Sequence, residues 1–215
     1  MRAVCLAVLA LGAAIRAETT KLPEPSRAGP VSVEQALEQR RSVRAFSDSG
    51  LTMAEAGQLL WAAQGVTGER GRRTAPSAGA TYPLEVYLVA GKVEGLEPGI
   101  YHYLPGEHGL ELVATGDRRE DLAAACLGQQ SVARAAVSLV FGAEFGRTAK
   151  RYGKRAERYV YLEAGHAAAN VCLESVALGL GTVCVGAFED SAVKKVAGMN
   201  EVPVYVLPVG RGDDD

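Results

Sequence analysis

Three apolar runs follow one another closely: LEVYLVA (84–90), GIYHYL (99–104) and LELVA (110–114), the last two separated by the turn PGEHG. Strands joined by so short a glycine-containing loop must pair antiparallel. That hairpin weighs against a doubly wound parallel sheet. The remaining segments agree, because helical and strand patterns intermix with no regular strand-helix-strand period and no internal repeat. The fold class expected is therefore α+β, with a mostly antiparallel central sheet flanked by helices.

The helices announce their own ends. SVEQALEQRRS carries a capping box, Ser32 with Gln35, and LTMAEAGQLLWAAQGV repeats it with Thr52 and Glu55 before Ala56, Leu59, Leu60 and Ala63 fall at helical spacing. Helices are also expected over DRREDLAAACLGQ, over DSAVKKVAG, and at greatest length from Ala156 to Leu178, where Gly179 supplies a C-cap. AAVSLVFGAE, TVCVGAF and VPVYVLPVG read as further strands. The proline-rich stretch 18–31 reads as a linker or extended arm, and 212–215 as an acidic tail.

Ahead of these, Met1 and Arg2 precede AVCLAVLALGAAI, an apolar run of signal-peptide length with a cleavage site near Ala17. The run is too short to span a bilayer as a helix. Residues 1–17 are thus expected to direct export to the periplasm or outside; a start codon further in would leave a cytoplasmic protein. With 23 basic and 25 acidic side chains in the whole chain, two of the basic ones within that segment, nucleic acid is not the expected partner. Cys126, Cys172 and Cys184 would remain, an odd number without C-x-x-C spacing, so neither a disulfide framework nor a zinc site is indicated.

Three segments could carry chemistry. RRSVRAF places Arg40, Arg41 and Arg44 around Ser42 at a helix end, donors suited to a phosphate, although arginines there also serve as a solvated face. APSAGATYP (75–83) is almost free of side chains through Ser77, Ala78 and Gly79, which lets backbone approach a ligand or simply makes a tight turn. GLGTVCVGAF interrupts a β-branched run at Gly186 and Ala187. Its GLG follows a helix and is no dinucleotide fingerprint. Glu163 and His166 stand at i, i+3 on the long helix, but tight packing through Ala164, Gly165, Ala167 and Ala168 accounts for them better than a metal. The basic run RTAKRYGKRAERY reads first as a solvated loop and helix start, and second as a basic wall attracting an acidic substrate.

Together RRSVRAF, APSAGATYPLEVYLV, RYGKRAERYVYLEAGHAAANVCLESVALGLG, VGAF and YVLPVGR, in this order from about Ser32 to Arg211, resemble the FMN-dependent nitroreductase superfamily. Within it they are most similar to the SagB-type group of thiazoline and oxazoline dehydrogenases. The resemblance implies a homodimer with FMN at the interface. Arg40, Arg41, Ser42 and Arg44 would hold its phosphate, ribityl chain and pyrimidine side, and Arg211 would be a further phosphate ligand. Ser77, Ala78 and Gly79 would lie along the ring from the partner subunit, while Gly186 and Ala187 would present backbone at the N5 edge. It implies ping-pong hydride transfer to or from a small conjugated nitro, quinone or azoline compound, with NAD(P)H a possible donor. The azoline dehydrogenases carry Lys-Tyr-Gly where this chain has Arg151, Tyr152 and Gly153; Tyr152 keeps a donor there, but arginine is no base at ordinary pH. An exported flavin-binding module without turnover is the alternative.

Overall fold

The computed structural model describes residues 19–213; the export segment expected over 1–17 lies outside them, as do the last two residues of the acidic tail. A seven-stranded antiparallel sheet runs through the chain in the order β1-β4-β3-β2-β5-β7-β6. The strands are β1 (Thr19–Lys21), β2 (Leu84–Ala90), β3 (Gly99–Leu104), β4 (Gly109–Thr115), β5 (Val137–Ala143), β6 (Gly181–Thr182) and β7 (Val202–Gly210). The helices are α1 (Val33–Gln39), α2 (Met53–Gln64), α3 (Arg119–Ala125), α4 (Gln130–Arg134), α5 (Phe145–Tyr152), α6 (Ala156–Ala177) and α7 (Asp190–Ala197). None among the described residues is long and apolar enough to cross a membrane.

Period-two side-chain alternation divides the strands between two helical layers. On one face Val86, Leu88, Leu139, Phe141 and Leu207 pack with Leu59 and Leu60 of α2 and Val160, Ala164, Ala167 and Val171 of α6. On the other, Tyr87, Val89, Ile100, Val140 and Val206 meet Leu122 of α3, Val132 of α4 and Val193 of α7. Each fully buried Leu or Val contributes roughly 1.5–3 kcal/mol, so both helical layers are held chiefly by the central strands β2 and β5. The sheet in turn holds α6 across its face.

Both capping boxes form. Ser32 Oγ accepts from Gln35 N–H at 3.2 Å, and Thr52 Oγ1 accepts from Glu55 N–H at 3.2 Å while Glu55 Oε2 accepts from Thr52 N–H at 2.8 Å. Thr52→Ala is expected to cost about 1 kcal/mol, read as a lowered urea midpoint at constant slope. An unchanged midpoint would mean that the cap contributes nothing to stability.

Two expectations need correction. TVCVGAF is not a full strand: β6 ends at Thr182, because the next partner on β7 is Pro208, which has no N–H, and Thr182 Oγ1 instead donates to the Pro208 carbonyl at 2.8 Å. Pairing resumes only at the Val185–Val206 bridge. The start of the basic run is helix, not loop: α5 is capped by the Glu144 carboxylate and seated by the buried Thr148. Within 18–31 the structure shows an arm, since β1 pairs with β4 and Leu22 is 2% exposed.

Candidate functional site

Arg40 is the C-cap of α1, and the chain beyond it runs beside β6: Val43 N–H donates to the Thr182 carbonyl, and Ser47 N–H to the Arg211 carbonyl, both at 3.0 Å. This gathers Arg40, Arg41, Ser42, Arg44, the 182–187 segment and Arg211 into one neighbourhood. Their guanidinium groups are not equivalent. Arg41 folds back and donates to the carbonyls of Glu38 (2.7 Å) and Arg40 (2.8 Å). Arg211 donates to Glu55 Oε1 at 2.8 Å, so it straps the C-terminal segment to the first turn of α2. Arg40 and Arg44 are exposed and, among the described residues, have no ion-pair partner.

Gly186 and Ala187 are exposed next to them. A Cβ on Gly186 would meet only the Tyr205 ring, at 3.8 Å, so the space in front of this backbone is open. The Ala187 carbonyl accepts from Gln129 Nε2 at 3.0 Å, whereas the N–H groups of both residues lack partners among the described residues. Exposed guanidinium groups near unpartnered backbone N–H groups suit an anion.

The APSAGATYP loop forms a second group. Ser77 Oγ accepts from Tyr82 N–H at 2.9 Å, and the buried Glu163 carboxyl lies close enough to Ser77 and Ala78 N–H for both to favour its charged form. Gly79 has φ +61°, and a Cβ there would come within 2.7 Å of Tyr152 Oη and 2.9 Å of Arg151 Nε. Arg151 also donates to the Gly79 carbonyl at 3.2 Å. The glycine at 79 therefore has an intrachain reason: α5 packs on it, and Tyr152 belongs to this group through that contact. Ala80 and Tyr82 also lie at positive φ, +53° and +43°. Such backbone costs of order 1–3 kcal/mol per residue and gathers at functional sites. The Thr81–Thr148 hydroxyl pair at 2.9 Å and the Arg147 bond to the Tyr82 carbonyl at 3.0 Å hold the loop against α5.

Sequence reasoning missed the importance of Glu163. It is 2% exposed, its Oε1 has no partner among the described residues, and burial pushes its carboxyl up to about 7 against the hydrogen bonds from Ser77 and Ala78 and the nearby Arg73 charge. The one signal was a carboxylate in an otherwise small and apolar helical stretch. His166, its supposed partner, is exposed, so the i, i+3 pair is divided between core and surface. Ala164, Ala167 and Ala168 pack inward as expected, but Gly165 faces outward, and a Cβ added there would meet nothing within 4 Å. Around Gly165 lie Tyr161 (51% exposed) and Leu162 (52%), and α1, which packs on α6, exposes Val33 and Leu37.

Comparison with known proteins follows the same outline. A family model described as "Nitroreductase family" matches residues 37–211. A Methanocaldococcus jannaschii protein, named as a proposed nitroreductase, is 45% identical over 84% of this chain and 91% of its own. The microcin B17-processing protein McbC of Escherichia coli is 30% identical over 67% of this chain; the match spans only 56% of that relative's length. Among solved structures, a protein from Ralstonia eutropha, likewise named as a proposed nitroreductase, superposes with a TM-score of 0.79 at 31% identity, covering 92% of this chain and 90% of its own.

Proposed function

The chain belongs to the nitroreductase family, and we propose that it is an FMN-dependent oxidoreductase of the SagB-like kind that works as a homodimer. One observation carries this reading: Arg40 and Arg44 stand exposed without ion-pair partners among the described residues, in the same neighbourhood as the exposed Gly186 and Ala187, whose N–H groups lack partners among the described residues. A phosphate fits the first pair by charge and by the forked geometry of guanidinium. An electron-rich ring edge fits the second. FMN, when bound, supplies hydride exchange at N5.

The protein's share of the work is positioning and electrostatics. Arg40, Arg44 and Ser42 anchor the anionic end, with Arg41 and Arg211 adding positive field although each already holds an intrachain partner. Amide dipoles at 186–187 favour negative charge on the bound ring. Tyr152, seated on Gly79, keeps a phenolic donor at the rim of the second group.

Two chains are favoured by the arrangement of the two groups. Glu163, under the Ser77–Gly79 loop, and Cys172, beside the Arg40 neighbourhood, lie nine residues apart on α6, or about 13 Å along its axis. The outer faces of α1 and α6 expose Val33, Leu37, Tyr161 and Leu162, the kind of patch that marks an association surface. A partner covering that face would bring its own loop toward this chain's arginines.

Ping-pong chemistry on a small conjugated nitro, quinone or azoline compound follows from this reading, with NAD(P)H as a donor and export as expected from residues 1–17. The purified chain is expected to be yellow or to become so with FMN, to bleach with NAD(P)H without air, and to recover its colour with a quinone or nitroarene. Failure to retain FMN after reconstitution would sink the proposal.

A further inference from the structure

Two of the cysteines in the described residues meet. Cys172 on α6 and Cys184 just beyond β6 bring their sulfurs to 3.6 Å, both as free thiols. Their separation of twelve residues hides the pair in the sequence. Cys126 lies in the opposite core layer, fully buried, where burial pushes its thiol up to about 11.

The surroundings of the pair favour charge on one sulfur. Cys172 lies within hydrogen-bond reach of Cys184 and can donate to it when it is charged, and the Tyr205 hydroxyl and the Arg40 guanidinium are near enough to favour a thiolate there. These contacts hold Cys184 below the ordinary thiol range. Cys172 is held above it, because it would lose its donor role and ionise beside its neighbour, in addition to being buried. Cys184 is also the less buried residue of the two, so the nucleophile and the resolving thiol are distinct.

We propose that Cys172 and Cys184 are a redox-active dithiol that a low-molecular-weight disulfide converts to an intrachain disulfide. The Cys184 thiolate attacks one sulfur of the oxidant, forming a mixed disulfide and expelling one thiolate. Cys172 then gives up its proton and attacks the Cys184 sulfur, and the second half of the oxidant leaves as a thiol. Two protein thiols are oxidised to one disulfide while one small disulfide is reduced to two thiols. An S–S bond of about 2.05 Å requires the sulfurs, 3.6 Å apart, to close by roughly 1.5 Å. The bond would tie α6 to the chain two residues before Gly186, the backbone wall of the candidate site.

The test uses the full chain, incubated with oxidised glutathione, unfolded in an alkylating agent, digested and mapped by mass spectrometry. The expected product is a Cys172–Cys184 linked peptide, lost on treatment with dithiothreitol, with Cys126 recovered as alkylated thiol. Cys172→Ser should halt the sequence at a stable glutathione adduct on Cys184. In the wild-type chain, either a persistent adduct on Cys184 without the linked peptide or no change at both cysteines would overturn the proposal, and neither observation depends on the folding of a variant or on bound flavin.

Discussion

Arg40→Ala is expected to weaken FMN binding by about ten- to 150-fold, the equivalent of one charge-assisted contact worth roughly 1.5–3 kcal/mol. The size of the effect rests on a contrast within one short segment. Arg40 and Arg44 are exposed and without ion-pair partners among the described residues, whereas Arg41 already donates to the Glu38 and Arg40 carbonyls. Arg41→Ala should therefore loosen the end of α1 and change affinity less. Arg40→Lys should retain part of the binding, because it preserves charge but not the planar fork. Fluorescence titration of FMN into the apoprotein at two salt concentrations measures all three variants. If Arg41→Ala proved the most damaging and Arg40→Ala neutral, the assignment of the phosphate end would be wrong.

That contrast also shows where sequence reading stops. RRSVRAF identifies a cluster of cations, but which guanidinium is spent on its own helix end depends on backbone geometry. Features governed by near neighbours were legible: both capping boxes, the β3–β4 hairpin and the end of α6 at Gly179, whose φ is +67°. Features set by distant partners were not. The two-residue length of β6 follows from Pro208 on another strand, and α5 forms over a highly charged stretch because Thr148 is seated against Thr81. The small residues of the APSAGATYP loop were legible, whereas their intrachain surroundings were not: Gly79 yields to Tyr152 and Arg151, and Ser77 and Ala78 lie close to the buried Glu163. Cys172 and Cys184 meet only because α6 and the segment after β6 fold against the same part of the sheet.

Glu163→Gln is expected to make the protein more stable above neutral pH, by up to about 3.5 kcal/mol. The wild-type carboxyl titrates near 7 in the folded chain against an ordinary value of 4.5, because burial opposes its ionisation more strongly than its hydrogen bonds favour it. Between these values the folded protein retains a proton that the unfolded chain releases, so stability falls as pH rises from 4.5 through 7 and levels off above. The difference, at about 1.4 kcal/mol per pH unit, sets the upper bound. Glutamine keeps an acceptor for Ser77 and Ala78 and carries no charge to bury. Glu55, Glu85 and Asp117 are held below their ordinary values, so they change stability in a more acidic range. Glu174 is also raised by burial, which is why the informative quantity is the difference between variant and wild type. Urea unfolding of both proteins at pH 5 and pH 8 should give nearly equal stabilities at the lower pH and a clear advantage for Glu163→Gln at the higher one. Parallel losses between the two pH values would show that the Glu163 carboxyl does not titrate in this range, and that the Ser77–Ala78 loop rests on a charged group at both.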